Sequence, residues 1–126
     1  MKAKNNKLWQ KNKSVKINPQ IEDYTVGMDY VLDQELVVYD ALASIAHAEM
    51  LHKIGILTKA EKNSLIKGLN IIIEKSKNNK FKIKQSDEDC HTAIENSLTK
   101  MYGNVGKKIH TGRSRNDQIL VAIRLY

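Results

Sequence analysis

Apolar residues recur at steps of three and four through successive stretches of this chain, and a single proline interrupts its 126 residues. Such spacing gathers them on one face of a helix. Val37, Ala41, Ile45, Ala48 and Leu51 form one stripe, which predicts a helix over 36–54 with Gly55 as its stop. Ala41, Ala43, Ser44, Ala46 and Ala48 crowd its middle, so a second helix can approach closely. Thr58-Lys59-Ala60-Glu61 is a capping box, with a hydroxyl at the cap and a carboxylate three residues on. It opens a helix over 59–76 carrying Leu65, Ile66, Leu69, Ile72 and Ile73 on one face. With so short a connection, these two helices read as a hairpin.

A third helix is predicted over 87–102, capped by Ser86, striped by Cys90, Ile94, Leu98 and Met101, and ended by Gly103. A fourth, over 116–126, carries Ile119, Leu120, Ile123 and Tyr126. Its pattern runs to Tyr126 with no cap, which gives the expectation of a piece of something longer. Between the second and third helices, Phe81-Lys82-Ile83-Lys84 alternates like a short extended connector, too isolated to form a sheet. Tyr24-Thr25-Val26-Gly27 reads as a turn or short extended piece, and Pro19 as the close of the segment before it. The fold class expected is all-α.

The net charge of +7 suggests nucleic acid, but its distribution argues otherwise. Lys2, Lys4, Lys7, Lys11, Lys13 and Lys16 lie in residues 1–20, where there is no acid, and the rest of the chain has a net charge of +1. A basic arm, with Leu8 and Trp9 as its large apolar pair, thus precedes a near-neutral body that lacks interleaved aromatics. Neither a signal-peptide pattern nor a membrane-length apolar run is present. Cys90 is the only cysteine and cannot form an internal disulfide, which fits a reducing compartment. The expected location is the cytoplasm.

The chemistry-bearing residues gather near the end of the chain. From Gly106 to Gln118, two glycines bracket a turn, and Arg113, Ser114, Arg115 and Asn116 follow without an apolar residue among them. A polar loop feeding a helix start offers free N–H groups and a positive dipole end, and arginine forks match carboxylates. On residue types alone the loop is either an anion site or a solvated basic turn capped by Asn116 or Asp117. His91 and Glu95 share a helical face at i, i+4, as a ligand-orienting pair or a local hydrogen bond. His47 and His52 are five apart, not the i, i+4 of a helical metal pair, so no metal is assigned. Thr25, beside Gly27, offers a hydroxyl that could face a ligand or cap a turn.

Three blocks carry a resemblance: Ser44 to Leu51 leading to Gly55-Ile56-Leu57-Thr58; Asp87 to Glu95; and Gly106 to Gln118 with Arg124-Leu125-Tyr126 after it. Over about residues 21–126 the chain resembles the N-terminal part of the argininosuccinate lyase family, in the fumarase/aspartase superfamily that includes the avian lens delta-crystallins. The resemblance implies β-elimination of argininosuccinate to arginine and fumarate in arginine synthesis, without cofactor or metal. It implies a homotetramer whose sites combine blocks from different subunits, with no nucleic-acid or membrane partner. It divides the chain into a basic arm over 1–20, an N-terminal helical domain over 21–112, and the start of a central helical domain over 113–126.

Substrate contacts carry over to Ser114, Arg115 and Asn116, to His91, and to Thr25 in the place of a family serine. The family's usual opening is altered here to Leu8-Trp9-Gln10-Lys11-Asn12. No catalytic acid or base is expected within these residues: the family's general-base histidine and its signature-loop serine fall in later segments. Two other classes compete: a non-enzymatic, crystallin-like structural relative, and a small basic nucleic-acid module.

Overall fold

A computed structural model describes residues 18–126, and every regular element in that span is helical. The lysine arm and the Leu8–Trp9 pair lie outside the described residues, apart from the last few positions of the arm. Helix α1 spans Pro19–Val26. Asn18 caps it, its side chain accepting from the Gln20 N–H at 2.9 Å, and Pro19 supplies a preset φ in the first turn. Pro19 therefore opens a helix instead of closing a segment, and Tyr24 and Thr25 are helical, with the turn delayed to Gly27 at φ 52°. A one-turn helix α2, Asp29–Leu32, and a 3₁₀ turn, Asp33–Leu36, lead into α3, Val37–Lys53.

The pairing of α3 with α4, Lys59–Lys77, builds the core. Val37, Ala41, Ala48 and Leu51 of α3 are buried against Leu65, Leu69, Ile72 and Ile73 of α4, while Ile45 and Ile66 are half-buried at the margin. Each large aliphatic side chain removed from water contributes roughly 1.5–3 kcal/mol. The hairpin closes as expected: Gly55 takes φ 86°, and Thr58 and Glu61 exchange both capping-box bonds at 3.0 and 3.2 Å. The connector after α4 stays extended because Gln34 substitutes for a strand partner. Its amide donates to the Phe81 carbonyl at 2.8 Å and accepts from the Ile83 N–H at 3.0 Å, with both apolar side chains buried.

Helix α5 spans Cys90–Tyr102, three residues shorter at its start than the sequence pattern predicts. Glu88 at φ 70° breaks the helical path, so Asp89 is the cap, accepting from the Thr92 N–H at 2.8 Å, and Ser86 is not. Cys90, Ile94 and Leu98 are buried, but Met101 is exposed because the last turn leaves the core. A 3₁₀ segment, Gly103–Lys108, folds back along α5, and α6, Arg115–Leu125, lies on α3 through Gln118 and Ala122. Ile119, Leu120 and Ile123 of α6 are exposed, as is Tyr126, whose ring meets Tyr39 edge-on at 5.6 Å. No helix among the described residues is long and apolar enough to cross a membrane.

Gly106 sets the distance between the 3₁₀ segment and α5. A Cβ there would lie 2.3 Å from the Thr99 nitrogen and 2.4 Å from the Leu98 carbonyl carbon, both backbone atoms that cannot swing aside. Gly106→Ala should destabilise the fold by about 1–3 kcal/mol or more through overpacking, lowering the denaturant midpoint. An unchanged midpoint would show that the two segments are not in this contact.

Candidate functional site

The loop before α6 and the residues that flank it are fastened to three helices, α3, α4 and α5. His110 Nδ1 lies 3.0 Å from Glu95 Oε2 on α5, and His47 Nε2 on α3 donates to the Thr111 carbonyl at 2.9 Å. Lys108 reaches Glu61 on α4 at 2.6 Å, and that ammonium bond is the main cause holding the Glu61 carboxyl below its usual range. Arg115 pairs with Asp89 at 3.1 Å and donates to Thr92 Oγ1 at 3.4 Å, joining α6 to the first turn of α5. The guanidinium is thus engaged as a tether within the chain.

Ser114, not Asn116 or Asp117, is the cap of α6. Its Oγ accepts from the Asp117 N–H at 3.2 Å, and its own N–H donates to Asp117 Oδ2 at 3.3 Å. Accepting with a lone pair leaves the Ser114 O–H available to donate. The capping box takes up the N–H of Asp117, and those of Arg115 and Asn116 have no partner among the described residues at the positive end of the helix. Asn116 is exposed beside them. A hydroxyl, two backbone N–H groups and a side-chain amide together make a donor set for a carboxylate.

His91 opens α5 beside the two residues that hold Arg115, so it belongs to the same end of the molecule as the loop. The i, i+4 pairing with Glu95 does not form. His91 Nδ1 lies instead 2.8 Å from Asp40 Oδ2, in a pair with 2% and 0% side-chain exposure, while Glu95 takes His110. Thr25 sits exposed on α1, where its hydroxyl donates one turn back to the Ile21 carbonyl.

Asp40, Cys90 and His91 bring potential metal-ligand atoms within 4.8 Å of one another. Burial above all, and then the carboxylates of Asp40, Asp33 and Asp89, push the Cys90 thiol far up, so it stays protonated and unreactive. Nδ1 of His91 is already engaged by Asp40. The trio is a hydrogen-bonded cluster in which Asp40 and His91 already spend a ligand atom on each other. An apolar groove of about 560 Å³ lies elsewhere, along α4 between Asn63 and Lys75, and includes none of the loop residues.

Sequence patterning misses Asp40, the Glu95–His110 bond and the Asp89–Arg115 tether, all of which join distant parts of the chain. It also misses that Arg113 Nη1 and Gln118 Nε2 are buried without a hydrogen-bond partner among the described residues. Asp40 gives little signal by itself, because an acid in the first turn of a helix is common and its burial is decided by α5.

The chain matches the family model described as lyase over residues 2–126. It belongs to the lyase family. Among curated relatives it is 50% identical over 119 residues to a protein named argininosuccinate lyase from Thermotoga neapolitana, covering 94% of this chain and 29% of that protein. Similarity to proteins of the same name from Xanthomonas oryzae pv. oryzae and Bacteroides thetaiotaomicron is 46% in both cases. It covers 96% and 95% of this chain, and 28% and 26% of those proteins. The chain therefore spans less than a third of the length of these lyase relatives.

His47 carries a pH signature of the loop anchor. Burial lowers its pKa below 6.5, the neighbouring charges of Arg113 and His110 add to this, and the bond to Thr111 opposes it. The unfolded chain then binds the proton more readily, so His47 contributes stability above about pH 6.5 that is lost as pH falls. Thermal melts between about pH 7 and pH 5 should show a steeper acid loss for wild type than for His47→Gln. Equal slopes would remove His47 as the cause.

Proposed function

We propose that this chain supplies one block of an argininosuccinate lyase active site, with Ser114, Arg115, Asn116, His91 and Thr25 as its substrate-binding residues. The observation carrying this reading is the open helix start at Ser114–Asn116, held against α5 by Arg115, in a chain so similar to proteins named argininosuccinate lyase. β-Elimination removes a proton beside a carboxylate and gathers charge on its oxygens before the C–N bond breaks. Preorganised donors favour that charge without reorganising at the moment of reaction. The Ser114 hydroxyl, the Arg115 and Asn116 N–H groups and the Asn116 amide fill this role. Arg115 serves chiefly by fixing the loop, and Thr25 would hold a second part of the substrate.

The reading extends to the complete protein: a cytoplasmic homotetramer of arginine synthesis, with residues 21–112 as one helical domain and 113–126 starting the next. The exposed apolar residues of α6 support that assembly, as positions for helices from the rest of the protein and from neighbouring subunits. The lyase names of the relatives favour an enzyme over a crystallin-like structural protein. The near-neutral body disfavours the nucleic-acid reading.

Asn116→Ala in the full-length enzyme should cost roughly 1.5–3 kcal/mol of transition-state stabilisation, the scale of a charge-assisted hydrogen bond, with little change in melting temperature. Wild-type kcat/KM in that variant would contradict the assignment. The 126-residue chain alone should release no fumarate from argininosuccinate, because the acid/base groups come from other segments. Steady fumarate absorbance from a preparation free of full-length enzyme would mean that the catalytic groups lie within these residues.

A further inference from the structure

We propose that Asp40 is the positioning residue of His91, accepting its Nδ1–H and so reserving Nε2 as the ring nitrogen that meets the ligand. The proposal rests on the reading of His91 as a ligand contact in the lyase site. Asp40 has no exposed surface and His91 almost none, and the Nδ1 to Oδ2 distance of 2.8 Å is that of a strong hydrogen bond. A carboxylate accepts and cannot donate, so the proton between them belongs to Nδ1. No hydrogen bond from Nε2 is formed among the described residues.

The surroundings make a merely structural role a poor account of Asp40. Its second oxygen, Oδ1, is buried and has no hydrogen-bond partner among the described residues, so the pair is less completely satisfied there than a buried salt bridge built for stability. Oδ2 is spent wholly on the imidazole. His91 stands between Asp89 and Thr92, the two residues that hold Arg115, so whatever fixes its ring also fixes it relative to the Ser114–Asn116 donors. Cys90 Sγ, 3.8 Å from Nδ1, is a protonated thiol and does not compete with the carboxylate for that proton. A second helix, α3, thus sets the ring orientation of a residue on α5, as a carboxylate does for a metal-bound or catalytic imidazole.

Nitrogen-15 spectra of histidine-labelled protein test this directly, since the chain has only four histidines. The His91 Nδ1 should carry the protonated-type shift across the neutral pH range, whether the ring is neutral or charged. In Asp40→Asn, which keeps the side-chain shape, the neutral ring should shift toward the Nε2–H form. A wild-type His91 with an unprotonated Nδ1 would overturn the proposal without reference to activity. In the full-length enzyme, Asp40→Asn should lower kcat at least about tenfold with a smaller change in KM, and Asp40→Glu should recover part of it. Unchanged kcat in Asp40→Asn, with lyase activity present in wild type, would also overturn it. If the tautomer is as expected but the full-length protein does not cleave argininosuccinate, the functional reading fails and the Asp40–His91 assignment stands.

Discussion

A fully buried acid in the first turn of α3 and an imidazole at the start of α5 hold each other 2.8 Å apart, and the site is built outward from that bond. Burying two ionisable groups is costly unless they are paired. The pairing therefore sets where α5 begins relative to α3. Asp33 adds to this by accepting from the Cys90 N–H at 3.1 Å, at the cost of a carboxyl whose pKa burial pushes up. Once α5 is placed, Asp89 and Thr92 are placed too, and Arg115 follows them. The start of α6 is thus located by polar contacts that trace back to Asp40.

The loop before α6 gains its shape from several helices at once. His47 on α3, Glu95 on α5 and Glu61 on α4 each hold one of its residues or the segment leading to it. Gly106 permits the close backbone approach that starts this path. None of these contacts alone is strong by the standards of partly exposed polar groups. Their number matters more, because a donor set aimed at a carboxylate is useful only if it need not reorganise.

Helices α3 and α4 were legible because both signals, periodicity and the Thr58 capping box, are local. The α5 start was not, because Ser86-Asp87-Glu88-Asp89 offers several cap residues and only the tertiary role of Asp87 decides among them. Its carboxylate accepts from the Lys84 N–H and from Asn96, which places Glu88 in the left-handed region and pushes the cap to Asp89. A proline marks a helix start as readily as a segment end, and for Pro19 only the Asn18 cap distinguishes the two. The loop residues were legible by type and by family likeness. The partners of His91 and Arg115 were not, because they lie 51 and 26 positions away along the chain.

Helix α6 inverts the usual division of faces. Its inward face is small and polar, Ala122 and Gln118, and its outward face carries Ile119, Leu120, Val121, Ile123 and Leu125. The contact with α3 therefore buries little apolar surface, and the amide of Gln118 is left partly unpaired. By area alone, covering the outer face would stabilise this helix more than the contact it already has. The donors at Ser114–Asn116 are the first turn of this same helix, and fraying of α6 from its far end lowers their order as well. Stability of the helix and readiness of the proposed carboxylate site are thus linked. In the proposed tetramer, the helices that cover α6 would act on catalysis without touching substrate, by holding its first turn in place.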